Sequence, residues 1–129
     1  MTETRVLVVD DHPAYRSAVV DTIKREPDMT VCGEADTVKA ALAAIAASQP
    51  DVAVIDLSLG NESGFDVVSA VARTQPGVRM LVLSGHSEQI YAERTFDLGA
   101  LGYLMKDEAA SKLVMAIRRV AAGERYGRR

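Results

Sequence analysis

The chain has 129 residues, 48% of them hydrophobic and 26% charged, with a formal net charge of -3. That is the size and make-up of one compact domain, and without a basic excess its main partner is not the nucleic-acid backbone. The single cysteine, Cys32, cannot form an internal disulfide, the start lacks a basic segment leading into a long apolar stretch, and charged or glycine residues interrupt every apolar run before the roughly 20 residues needed to cross a bilayer. The expectation is a cytoplasmic protein with no membrane contact of its own.

Arg5 to Val9 is nearly all apolar, reads as a buried strand and ends in Asp10-Asp11; Pro13 then suits the first turn of a helix to about Arg25, before Pro27. Thr30 to Ala35 reads as a second strand, Asp36 or Thr37 as an N-cap, and the Ala-rich Val38 to Ala47 as a helix closed by Ser48-Gln49-Pro50. Val52 to Ile55 is a short buried strand ending at Asp56. The polar, glycine-bearing stretch Ser58 to Gly64 is expected to be loop, followed by a helix from about Phe65 to Thr74 with Ser63 and Asp66 as a capping box.

Val78 to Leu83 forms the fourth strand, ending at Ser84-Gly85, and Ser87 caps a helix reaching Leu98 before Gly99. Leu101 to Met105 is the fifth strand, ending at Lys106. Leu113, Val114, Ile117, Val120 and Ala121 then recur at helical spacing and mark the core face of the last helix. Residues 1–123 are expected to form one domain, and the polar, basic residues 124–129 to begin a linker or tail. Strands alternating with helices predict an α/β fold, a doubly wound five-stranded parallel sheet covered on both faces.

In such a sheet, ligands bind outside the carboxyl ends of the strands, near the point where strand order reverses. The polar residues fall there: Asp10-Asp11 after strand one, Asp56 after strand three, Ser84 after strand four and Lys106 after strand five. Three carboxylates brought together would raise one another's pKa unless a cation neutralised them, and their hard oxygens suit Mg2+. Lys106 adds a mobile positive charge and Ser84 a hydroxyl donor. Phosphoryl transfer needs an in-line nucleophile and fixed positive charge around the equatorial oxygens. Asp56 is the natural nucleophile, with Mg2+ on Asp10, Asp11, Asp56 and a loop carbonyl, that of Ser58, and with Lys106 and Ser84 on phosphoryl oxygens.

With these residues placed, the chain resembles the receiver domain of two-component response regulators, from Val6 to about Gly123. The resemblance rests on the acidic pair in VLVVDD, Asp56 in DVAVIDLSLGNESGFDV, Ser84 in MLVLSG and Lys106 in GALGYLMKD. The DHP after the acidic pair, the GALGYLMKDEA segment and the closing AIRRVAAGERY resemble the NarL/FixJ subfamily. The resemblance implies a flavodoxin-like (βα)5 fold with strand order 2-1-3-4-5 and a phosphoryl group received from a sensor histidine kinase. It further implies dimerisation on phosphorylation and DNA contact through a C-terminal helix-turn-helix domain not contained in this chain. It makes Tyr103 the aromatic switch residue that turns inward when Ser84 moves toward the phosphoryl group, carrying the signal to the surface of helix four, strand five and helix five.

Two positions depart from the family pattern. Gly60 stands where many members have proline, which predicts a looser acceptor loop, and Asp107 follows Lys106 where many have proline in a cis bond. Simpler roles also exist for single residues: Ser84 as a cap of the next helix, Tyr103 as ordinary core, His12 as a loop or cap residue, Cys32 as strand packing. His86 and Ser58 match positions that flank the path of an attacking water in family members, although His86 also suits a plain surface role. A true hydrolase passing through an aspartyl phosphate is disfavoured, because many such enzymes have a second Asp two positions after the nucleophile and this chain has Ser58. A receiver fold kept for docking only is disfavoured by the complete set Asp10, Asp11, Asp56, Ser84 and Lys106.

Overall fold

The computed structural model describes residues 3–86 and 89–127. Its elements are β1 (Thr4–Val9), α1 (Pro13–Lys24), β2 (Met29–Ala35), α2 (Val38–Ser48), β3 (Val52–Asp56), β4 (Ser58–Leu59), β5 (Glu62–Ser63), α3 (Gly64–Thr74), β6 (Arg79–Ser84), α4 (Gln89–Asp97), β7 (Gly102–Met105), a 3-10 turn (Lys106–Glu108) and α5 (Ala109–Ala121). The large sheet is parallel, in the order β2-β1-β3-β6-β7. With the short strands β4 and β5 set aside, that is the expected 2-1-3-4-5.

The period-two alternation of a strand divides the core. Val6, Val8, Val52, Val54, Leu81 and Leu83 point to the face covered by α1 and α5, where they meet Val20, Ile23, Leu113 and Ile117. Leu7, Val9, Ala53, Ile55 and Val82 point the other way, against Ile45 of α2, Val67 and Val71 of α3 and Phe96 of α4. A sheet buried on both faces explains why its strands read as continuous apolar runs. Helix α1 opens with Pro13 at its first position, where a missing N–H costs nothing, and Thr37 caps α2 by accepting the N–H of Ala40 at 3.1 Å.

Four expectations need revision or fall outside the described residues. The stretch Ser58 to Gly64 is not all loop: Ser58–Leu59 and Glu62–Ser63 pair antiparallel, and α3 begins at Gly64. Gly60 has φ 64° at the first central position of the two-residue turn, a geometry that proline cannot adopt. The acceptor loop is thus a hairpin, tied down by buried Leu59, and not a looser segment. Ser63 does cap α3, but its Oγ accepts from Phe65 N–H at 3.1 Å, one residue earlier than a capping box with Asp66 requires. Ser87, expected to cap α4, lies outside the described residues.

Beyond α5 the chain turns back. Tyr126 donates its N–H to Leu101 at 3.0 Å and accepts from Tyr103 N–H at 3.0 Å, forming a parallel bridge on the free edge of β7.

Candidate functional site

The site lies at the carboxyl ends of β1, β3, β6 and β7, over the place where strand order reverses between β1 and β3. Asp10, just past β1, is 1% exposed, and Asp56, the last residue of β3, is 2% exposed. Carboxylate oxygens of Asp10, Asp11 and Asp56 all lie within 4.8 Å of one another. Their proximity follows directly from the parallel pairing of β1 with β3, Val9 opposite Ile55, which brings both strand ends level.

Both oxygens of Asp56 are engaged. Oδ1 accepts the backbone N–H of Ser58 at 3.0 Å, and Oδ2 accepts from Lys106 Nζ at 2.7 Å. Lys106 sits at the end of β7 with β6 in between, so the pair spans two strand spacings, about 10 Å. Only a long side chain reaches that far. The Lys106–Asp107 bond is trans, since no cis peptide occurs among the described residues.

Asp10 Oδ1 accepts from His12 N–H at 2.8 Å, while Oδ2 is buried without a hydrogen-bond partner among the described residues. Burial, reinforced by the negative charge of Asp56 and opposed by the His12 hydrogen bond and the Lys106 charge, pushes the Asp10 carboxyl up to about 6 from 3.8. An unpaired buried carboxylate oxygen facing two further carboxylates is the condition a divalent cation relieves. The hard, oxygen-only donor set fits Mg2+.

Ser84, the last residue of β6, is 1% exposed, and the register Ser84 opposite Met105 places it beside the root of Lys106. Its Oγ accepts from His86 N–H at 2.9 Å, so in this state it organises the turn after β6. Buried Tyr103 donates its hydroxyl to the carbonyl of that same His86 at 2.6 Å. The His86 ring is exposed and stacks on Tyr91 of α4 at 4.4 Å. Cys32 is half-buried, with Sγ 3.8 Å from Ser48 Oγ, away from the cluster.

Asp10, Asp11, Asp56 and Lys106 are therefore brought together, with Ser84 on the neighbouring strand end. Ser58 joins through its amide. Two contributors escaped the sequence. Gly64 packs so closely that a Cβ there would overlap the Asp56 carbonyl oxygen and lie 2.9 Å from Leu57 Cα, and its N–H donates to the Leu57 carbonyl at 2.7 Å. A glycine at a helix start after a polar stretch was the available signal. Tyr15, in the first turn of α1, lays its ring against the Lys106 ammonium, 4.8 Å from Nζ to centroid.

The profile of the response regulator receiver domain family matches residues 6–118. Over 121 residues the chain is 36% identical to the transcriptional regulatory protein NarL of Mycobacterium tuberculosis, covering 94% of this chain and 56% of that protein. It is 34% identical to the DNA-binding transcriptional activator DevR/DosR of the same organism, covering 92% of this chain and 55% of the relative. Among solved structures, the signal receiver domain of NarL from Mycobacterium tuberculosis superimposes with a TM-score of 0.90 at 35% identity, over 96% of this chain and all of that one (100%). A LuxR-family two-component response regulator from Aurantimonas sp. gives a TM-score of 0.93 at 30% identity, over 98% of this chain and 90% of that one. The chain belongs to the response-regulator receiver domain family, of the NarL/FixJ type. It spans just over half the length of the curated relatives it matches.

Proposed function

We propose that this domain accepts a phosphoryl group on Asp56 from a sensor histidine kinase in the cytoplasm and thereby controls a DNA-binding output carried elsewhere in the full protein. The reading is carried by one observation: the carboxylate of Asp56 is buried, held by the Lys106 ammonium at 2.7 Å, and within 4.8 Å of the Asp10 and Asp11 carboxylates.

Asp10, Asp11, Asp56 and the backbone carbonyl of Ser58 would hold Mg2+. When bound, Mg2+ supplies charge neutralisation at the carboxylates and at one phosphoryl oxygen. An Asp56 carboxylate oxygen attacks phosphorus in line as the bond from phosphorus to the donor nitrogen breaks. Lys106 pairs with a second phosphoryl oxygen and Ser84 with the third. The hairpin over Asp56 fixes the carboxylate through the Ser58 N–H, and a fixed nucleophile removes much of the orientational cost of transfer.

Phosphorylation adds about 1.5 to 2 negative charges. Ser84 leaves the His86 amide for the phosphoryl oxygen, Tyr103 follows through its own bond to His86, and the surface of α4, β7 and α5 is remodelled, with dimerisation as the expected outcome. The domain catalyses its own phosphorylation and slow dephosphorylation, and Ser58 supplies no second acid for rapid turnover.

The test is intact mass after incubation with acetyl phosphate or phosphoramidate and Mg2+. The wild type is expected to gain one phosphoryl group and Asp56→Asn none. Equal gains in both would remove Asp56 from the role.

A further inference from the structure

We propose that Tyr15 is a positioning residue for phosphoryl transfer. Its ring face holds the Lys106 ammonium over Asp56, and its hydroxyl stands ready to donate to an oxygen that arrives with the bound group. The proposal rests on the reading of Asp56 as the acceptor.

Pro13 starts α1 one residue past the acidic pair, with His12 as the N-cap, and Tyr15 is the third residue of the helix. Lys106 Nζ is 2.7 Å from Asp56 Oδ2 and 4.8 Å from the Tyr15 ring centroid. The carboxylate and the negative face of the ring thus grip the ammonium from two sides. A lysine stem is flexible and its head is a point charge, so one salt bridge alone leaves it many arrangements. The ring removes most of them. Tyr15 and Lys106 together border a groove of about 140 Å³ between α1 and α5, with Val19, Ala109 and Leu113.

The hydroxyl carries a second, independent sign. Among the described residues, two buried side-chain polar atoms have no hydrogen-bond partner, Tyr15 Oη and Asp10 Oδ2. Both belong to this one site. A buried donor and a buried acceptor without partners are groups that an arriving oxygen or cation would satisfy. Burial first, then the charges of Asp10 and Asp56, push the phenol above its ordinary value of 10.0, so it remains a proton donor. A residue that only filled the core would do as well without the oxygen, because an unpaired buried hydroxyl is a cost.

Two measurements on the full chain test this, the first without metal. Limiting acetic anhydride labels each lysine according to how readily its amine is released, unprotonated, to solvent, and Lys24, Lys39 and Lys112 serve as internal references. In Tyr15→Leu, labelling of Lys106 relative to those three is expected to rise about three- to tenfold, the range of an ammonium–ring contact. In Tyr15→Phe it stays at the wild-type level. Tyr15→Met, which keeps volume without a ring, replaces the leucine variant if that variant does not fold.

The second measurement is phosphorylation by phosphoramidate with Mg2+. The saturating rate is expected to fall roughly two- to fivefold in Tyr15→Phe and about tenfold or more in Tyr15→Leu, at an unchanged half-saturating donor concentration. Unchanged Lys106 labelling in the ringless variant overturns the role of the ring, and a wild-type rate in Tyr15→Phe overturns that of the hydroxyl. If the wild type takes up no phosphoryl group, the acceptor reading fails, while the labelling result still decides whether Tyr15 holds the lysine.

Discussion

Ser84 and Tyr103 grip the two ends of one residue: Ser84 Oγ accepts the His86 N–H at 2.9 Å, and the Tyr103 hydroxyl donates to the His86 carbonyl at 2.6 Å. Side chains on two different strands are thereby linked through the backbone of the turn after β6. A displacement of either one pulls on the other. Tyr103→Phe keeps the ring and cuts this link, so it is expected to lower stability by about 1 kcal/mol while leaving phosphoryl uptake within roughly twofold. Urea unfolding and the intact-mass time course measure the two effects; a fall in uptake as large as the loss of the acceptor itself would contradict the division of labour.

On the proposed reading Lys106 pairs with a phosphoryl oxygen, and its positive charge beside Asp56 would also oppose a cation bound there. Lys106→Met is expected to slow phosphoryl transfer by about 10²- to 10³-fold, the usual loss when one charge-stabilising donor is removed. Mg2+ affinity is expected to rise, because the carboxylate cluster loses its only nearby ammonium among the described residues. Calorimetric titration of Mg2+ beside the rate measurement gives both signs, and a weaker metal affinity would contradict the electrostatic account.

The buried carboxyl of Asp10 makes stability depend on pH with a definite sign. Its folded value is raised to about 6 against 3.8. The folded state therefore binds this proton more tightly, and the unfavourable contribution is absent well below 3.8, grows as pH rises, and is complete above about 6. The full shift corresponds to roughly 3 kcal/mol. Asp10→Asn is expected to stabilise the metal-free domain by a few kcal/mol at pH 7.5 (on the order of that shift), and much less near pH 4. Denaturant melts at the two pH values, without Mg2+, check it; equal effects at both would show that burial of the charge is not the cause.

Gly64→Ala is expected to destabilise by about 1–3 kcal/mol or more and to slow phosphorylation, because the added carbon presses on the Asp56 carbonyl. Gly77→Ala, where the same atom would meet nothing within 4 Å, is the control. Similar losses in both variants would mean that glycine loss itself, and not the contact, is responsible.

The sheet was legible because each parallel strand is buried on both faces and stops at a polar residue, so Arg5 to Val9 and Val52 to Asp56 announce both the strand and its end. The gathering of Asp10, Asp11, Asp56 and Lys106 followed from strand ends alone. The hairpin at Ser58 to Ser63 was hidden because strands of two residues have no period to read. Nothing local to Tyr15 says that its ring faces a lysine 91 positions later. The return of Tyr126 is made by backbone groups, which leave no mark in a polar, basic tail.

That return also governs how the sheet meets its neighbours. An outermost strand offers a row of unsatisfied amides and carbonyls on which another polypeptide can crystallise. Here Leu101 and Tyr103 already spend one such group each on Tyr126. A molecule that would lengthen the sheet at β7 must first displace the segment around Tyr126, so that edge carries a guard of its own.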